Sequence, residues 1–186
     1  MSMSYLPKQL PAEVLLLCER ISAPALLVAH LRLVHDAALS ITARLREHYP
    51  ALHFSTEEVL LGAATHDLGK VLHPEEMTGP GDRHEESGPE FLIQQRLPPH
   101  LARFARTHAR WTDEGLLLED LLVALADHVW KGKRDEHLES LVIAKIAEKT
   151  SLEPWEVFAT VDEILDEVAS LAGARLVYQK QIQDSM

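Results

Sequence analysis

Residues 22–50 read SAPALLVAHLRLVHDAALSITARLREHYP, and this stretch decides the fold class. Ser22 followed by Pro24 is a helix start signal, because a short polar side chain suits a cap and proline's fixed φ suits a first turn. Leu27, Leu31, Val34, Ala38, Ile41 and Leu45 then recur at three- and four-residue steps, which lines them up on one face of a helix. Tyr49-Pro50 ends it, since proline pushes the residue before it out of helical backbone. The same period runs along nearly the whole chain, and no segment offers the bounded period-2 alternation of a strand. The expectation is an all-α, single-domain bundle over residues 1–186.

Working outward, residues 11–21 form a first short helix. Ser55 with Glu58 reads as a capping box that opens a helix through Val59, Leu60, Ala63 and Ala64 and stops near Gly69. From Leu72 to Arg83 the text turns to loop chemistry, with two prolines and two glycines. Helices follow near 84–95, 98–110, 117–131, 136–149, 154–171 and 174–183. Repeats and linkers are absent. In the last third, Val157, Val161, Ile164/Leu165, Val168 and Leu171 make a stripe that suits a core and leaves a homodimer contact as the alternative.

The chain has 186 residues, with 18 Lys+Arg against 29 Asp+Glu and a formal net charge of −11. Such an excess of acid argues against duplex nucleic acid, whose phosphates need a basic surface. It leaves room for a small phosphorylated substrate, because a bound cation reverses the local field. One cysteine, Cys18, excludes an internal disulfide framework and a cysteine zinc cage. No uninterrupted apolar run approaches the roughly 18 residues that span a bilayer, and the first ten residues lack a signal-peptide pattern. The expected setting is the cytoplasm, with no membrane partner.

Histidine is abundant, at 11 residues. His48, His53, His73, His100 and His137 lie at helix ends or in polar loops and read as surface. His66-Asp67, in GAATHDLGK, is different. Neighbours in mid-helix diverge by about 100°, whereas at a helix terminus both side chains can turn toward one ion. Asp127 sits in LLLEDLLVALADHVWKGK with Val123, Ala126 and Trp130 on its side of the helix. A carboxylate in that setting costs several kcal/mol unless it is paired, hydrogen-bonded or bound to a metal. Asp and His without thiols suit metals that accept oxygen and nitrogen ligands. His128, beside Asp127, projects elsewhere and reads as an outer partner or core residue.

The order of these residues resembles the HD superfamily of metal-dependent phosphohydrolases over residues 25–135, with residues 136–186 completing the bundle. The match runs through His35, the pair His66 and Asp67 in THDLGK, His84 in HEESG, His108 in RTHARW and Asp127 in ALADHVWKGK. The resemblance implies a metal held by the first histidine, the pair and the last aspartate. The two middle histidines imply a second ion, with Asp67 bridging. It implies two divalent ions, iron or manganese first, with magnesium, nickel, cobalt or zinc as substitutes. His30 and His35 flank the apolar stripe on opposite sides, and geometry read from sequence does not choose between them. We take His35, because Ala37-Ala38 leaves room for close packing.

Such a centre lowers the pKa of a bound water and binds phosphoryl oxygens, so the implied reaction is in-line attack by metal-activated water, with catalytic roles for His66, Asp67 and Lys70. Lys70, Arg83 and Lys131 are candidate phosphate donors, with ordinary solvated charge as the alternative. Lys133 and Arg134 extend the Lys131 cluster, while Arg103, Arg106 and Arg110 read as a solvated face. The loop from His73 to Arg83 is expected to cover the pocket. The leading function is hydrolysis of a small nucleotide-like phosphate. A di-iron oxygenase and a metal-stabilised sensor without turnover are the alternatives.

Overall fold

The computed structural model describes residues 5–185, and every regular element among them is helical. The 22–50 stretch forms α2 (Ala25–His48), and α1 (Ala12–Arg20) precedes it. Leu27, Leu31, Val34, Ala38, Ile41 and Leu45 are all buried, and so are Leu33 and Ala37 on an adjoining face. α2 therefore packs on several sides at once, against α3 (Thr56–Thr65), α7 (Leu118–Val129), α9 (Pro154–Ser170) and α10 (Ala172–Asp184). Each such Leu, Ile or Val contributes about 1.5–3 kcal/mol by leaving water. By length and composition α2 passes for a membrane span, with a mean hydropathy of 1.3 over 18 residues, yet 61% of that window is buried inside the protein.

α4 (Arg83–Gln94) packs on a 3-10 segment, Leu68–Leu72, and on the single turn α6 (Phe104–Thr107). α8 (Glu136–Thr150) sits between α7 and α9, and the 157–168 stripe of α9 is buried in the core. Arg134 fastens this end, reaching Glu139 at 2.7 Å, Asp162 at 2.7 Å and Asp166 at 2.5 Å. It is thereby withdrawn from any phosphate-binding rim.

Three local expectations change. The expected 98–110 helix is two single turns, α5 (Pro99–Ala102) and α6, with Arg103 between them. At that break the Arg103 guanidinium donates to the His100 carbonyl, and it also reaches Asp120 at 3.0 Å and Glu58 at 3.1 Å, so Arg103 is a cross-link and not part of a solvated face. The 72–83 stretch is only partly irregular, because Pro74–Met77 forms a second 3-10 segment with proline in its first turn. The capping box at Ser55 is half made. Ser55 Oγ accepts from the Glu58 amide at 3.2 Å, but the Ser55 amide donates to Glu119 Oε1 at 2.7 Å.

A buried ion pair ties Tyr5 and α10 to α2. Arg175 of α10 is 0% exposed; it donates to Asp36 Oδ2 at 3.2 Å, Val168 O at 2.7 Å and Tyr5 Oη at 3.1 Å. Tyr5 in turn donates to Asp36 Oδ2 at 2.5 Å. Burial and the Asp36 carboxylate together push the Tyr5 phenol up to about 12.

Candidate metal centre

α3 ends at Thr65, His66 keeps helical dihedrals, and Asp67 leaves them at φ −100°, ψ 4°. That turn brings the two neighbouring side chains to one place. Gly69 is not the helix stop expected of it. A Cβ there would lie 2.5 Å from the His84 carbonyl oxygen and 2.9 Å from the Gly88 Cα. Its bare backbone lets α4 cross closely, and so seats His84, in the first turn of α4, beside Asp67. His108 caps the end of α6, and Asp127 lies in the last turn of the buried α7.

The first histidine is His30 and not His35. His30 Nε2 lies 3.1 Å from Asp67 Oδ2, 3.4 Å from Asp127 Oδ1 and 3.3 Å from His66 Nε2. Five residues along a helix turn a side chain by about 140°. His35 therefore points elsewhere, into a separate cavity with Glu57 and Leu60, where it is 4% exposed and its Nδ1 has no partner. Burial lowers its pKa, and the nearby Asp36 offsets only part of that.

Asp67 divides its two oxygens. Oδ2 faces His30 and, at 3.7 Å, His66 Nε2, while Oδ1 faces His84 Nε2 at 3.1 Å and His108 Nε2 at 3.6 Å. Asp127 Oδ1 completes the first side, 3.6 Å from His66 Nε2. Three potential metal-holding sets overlap here, His30, His66 and Asp67, then His66, His108 and Asp127, and then Asp67, His84 and His108, each with its ligand atoms within 4.8 Å of one another.

Proton positions support a cation here. Three of the four histidines have a protein acceptor at Nδ1: Ala63 O at 3.0 Å for His66, Glu76 Oε2 at 2.7 Å for His84 and Phe104 O at 3.0 Å for His108. In the neutral imidazole that a metal requires there is one N–H, so each of these Nε2 atoms then presents a lone pair toward carboxylate. Asp67 Oδ1 and Asp127 Oδ1 are themselves buried without hydrogen-bond partners. Acceptors converging on buried acceptors are repulsive unless a proton or a metal ion lies between them, and the donor set of imidazole and carboxylate suits a divalent ion.

Titration follows the same logic. Burial disfavours the Asp67 charge, but His66, His30 and His84 outweigh it and hold the carboxyl well below the usual range. Asp127 is likewise lowered, through His66 and His30. Burial opposes the charge on His66 and His84, yet the carboxylates raise both. His108, buried and next to His66, is pushed down to about 4.

The centre opens into a cavity of about 300 Å³ lined by Lys70, Glu85, Trp111, His128 and Lys131 besides the candidate ligands. Lys70 Nζ sits 2.5 Å from Asp67 Oδ2. Arg83 is not in this cavity. It pairs with Glu75 and, at 3.3 Å, with Glu76. None of the residues of the 73–83 loop lines this cavity, but Met77 lines a neighbouring pocket together with His30 and Lys70. That loop instead delivers Glu76, buried behind His84, a partner that nothing in the PEEM text distinguishes from its exposed neighbour Glu75.

Together the helical architecture and the shared aspartate define a histidine–aspartate site suited to divalent metal on an all-α scaffold. The HD domain family model matches residues 27–130, over half of the chain, and the chain belongs to that family. Its members form a superfamily of metal-dependent hydrolases that bind divalent metals. No curated protein and no solved structure matches the chain.

Proposed function

We propose that this chain is a metal-dependent phosphohydrolase that uses two divalent ions to cleave a phosphoester or phosphoanhydride bond of a small, nucleotide-like substrate. The observation that carries the reading is the division of Asp67, whose two oxygens turn to separate histidine pairs beside an open cavity. When bound, divalent ions supply Lewis acidity toward phosphoryl oxygens and a nucleophilic water near neutral pH. The chain's own residues do the rest. Lys70 and Lys131, both at the cavity wall, donate to phosphate oxygens and orient them. Asp67 and Asp127 stay ionised, as their lowered pKa values favour.

The test is metal analysis of the purified protein joined to a panel of small phosphoesters and nucleotides, run on wild type and Asp67→Ala, with and without dioxygen. About two metals per chain, oxygen-independent phosphate release, and loss of both metal and activity in the variant support the reading. Full metal and activity in Asp67→Ala overturns it. Activity that stops without dioxygen replaces it with oxygenase chemistry. Metal without turnover on any phosphate replaces it with a sensor.

A further inference from the structure

We propose that Glu76 is the positioning residue of the second ion site, acting through His84. The inference rests on the two-ion reading above. Glu76 has a side chain only 2% exposed, although it sits in an otherwise exposed, proline- and glycine-rich connection. Its Oε2 accepts from His84 Nδ1 at 2.7 Å and from the His84 amide at 3.1 Å. Oε1 accepts from the Arg83 amide at 3.2 Å and from Arg83 Nε at 3.3 Å. The carboxylate thus holds the first turn of α4 and the imidazole it carries at the same time.

A histidine whose Nδ1–H is bound by a carboxylate is locked in one tautomer and one ring orientation, and its free nitrogen becomes more basic. In His84 that free nitrogen is Nε2, 3.1 Å from the unpartnered Asp67 Oδ1. Without Glu76 the ring is free to rotate or to change tautomer, and Nε2 is no longer held toward Asp67. With Glu76 in place the proton on Nδ1 is fixed and Nε2 stays aimed at Asp67 Oδ1, where a cation displaces any proton it carries. His66 and His108 are fixed more weakly, by backbone carbonyls. The strongest outer support therefore falls on His84, a ligand on the second ion's side.

The connection is shaped for this approach. A Cβ on Gly81 would come within 2.5 Å of the Glu76 side chain, so glycine leaves the space through which Glu76 reaches His84. Because those contacts are to a flexible side chain and not to backbone, Gly81→Ala moves the carboxylate at little cost to the fold.

The experiment is manganese titration of the full chain, followed by calorimetry and by the electron paramagnetic resonance that distinguishes single from coupled ions. It compares wild type, Glu76→Gln, Gly81→Ala and His84→Ala, with thermal melts as the folding control. We expect Glu76→Gln and Gly81→Ala to bind the first equivalent as wild type does and the second about 10–100-fold more weakly. His84→Ala should lose the second equivalent. In ¹⁵N spectra of the metal-free protein taken at a pH high enough for His84 to be neutral, the His84 Nδ1–H form should give way to a mixture in Glu76→Gln. A second equivalent bound at wild-type affinity in both Glu76→Gln and Gly81→Ala overturns the proposal, as does an unchanged tautomer. Wild type binding one ion, or His84→Ala retaining two, overturns the two-ion reading itself.

Discussion

His30 Nε2 lies 3.1 Å from Asp67 Oδ2, joining α2 to the turn after α3, while His35 on the same helix faces another cavity. The two histidines should therefore part company in solution. His30→Ala should lower metal content by about one ion per chain and kcat/KM by roughly 100-fold or more, as expected for loss of a metal ligand or its support. His35→Leu should keep metal and activity, with an unchanged or higher Tm, because it replaces a buried nitrogen that has no partner with an apolar group of similar size. Elemental analysis and a melt decide it. Metal loss in His35→Leu alone would reverse the assignment.

Metal uptake should release protons and tighten with pH. His66 and His84 have raised pKa values, so the metal-free protein carries protons there that an ion must displace. Affinity should rise as pH climbs through those raised values and level off above them. His108, at about 4, contributes no proton near neutrality. In the metal-free protein the sign for stability is opposite. The His66 and His84 contribution is complete below the unfolded value of about 6.5 and is lost as pH rises through the raised folded values. Titration in two buffers of different ionisation enthalpy counts the protons. No proton release near neutral pH would contradict the assignment.

Lys70 competes for the oxygen that faces His30. With its ammonium 2.5 Å from Asp67 Oδ2, Lys70→Met should tighten metal binding in the absence of substrate. The same variant should lose a charged donor to phosphate, which is worth about 1.5–3 kcal/mol, or roughly 10–100-fold in kcat/KM. Opposite signs in a metal titration and a steady-state assay identify the dual role. Parallel losses would make Lys70 merely structural.

Arg175→Met should destabilise the protein by about 3–5 kcal/mol, because it leaves Asp36 buried beside Tyr5 without its cation. Adding Asp36→Leu should recover part of that loss, since an apolar pair removes the stranded charge. Urea denaturation measures both. Metal stoichiometry should be unchanged in each, because neither side chain is among the metal-holding sets.

Much of the fold was readable along the chain because it is local. The stripe from Leu27 to Leu45 is a property of one helix, and burial of all six residues follows from it. Ser55 capped its helix through an amide three residues away. Features that depend on two distant segments were not readable. Arg103 reads as part of a solvated face and Arg134 as part of the Lys131 cluster, yet they are committed to acids 17 and 28 residues away in the chain, and Arg175 reaches Asp36 across 139 residues.

The same division runs through the candidate site. His66, Asp67 and Asp127 stand out by residue type and setting, and the resemblance to the HD superfamily adds His84 and His108. Whether His30 or His35 joins them depends on which flank of α2 meets α3 and α7, and the helix's own pattern is nearly symmetric about its stripe. Glu76 was hidden for a related reason. Two adjacent glutamates in a loop are equivalent until the crossing of α4 over Gly69 brings His84 within reach of one of them. Sequence alone determined the helical class and the ligand chemistry, because periodicity and donor type are local. Tertiary packing decided which histidine enters the centre and which acid stands behind it, because helix rotation and close crossing are set by pairs of elements and not by either one.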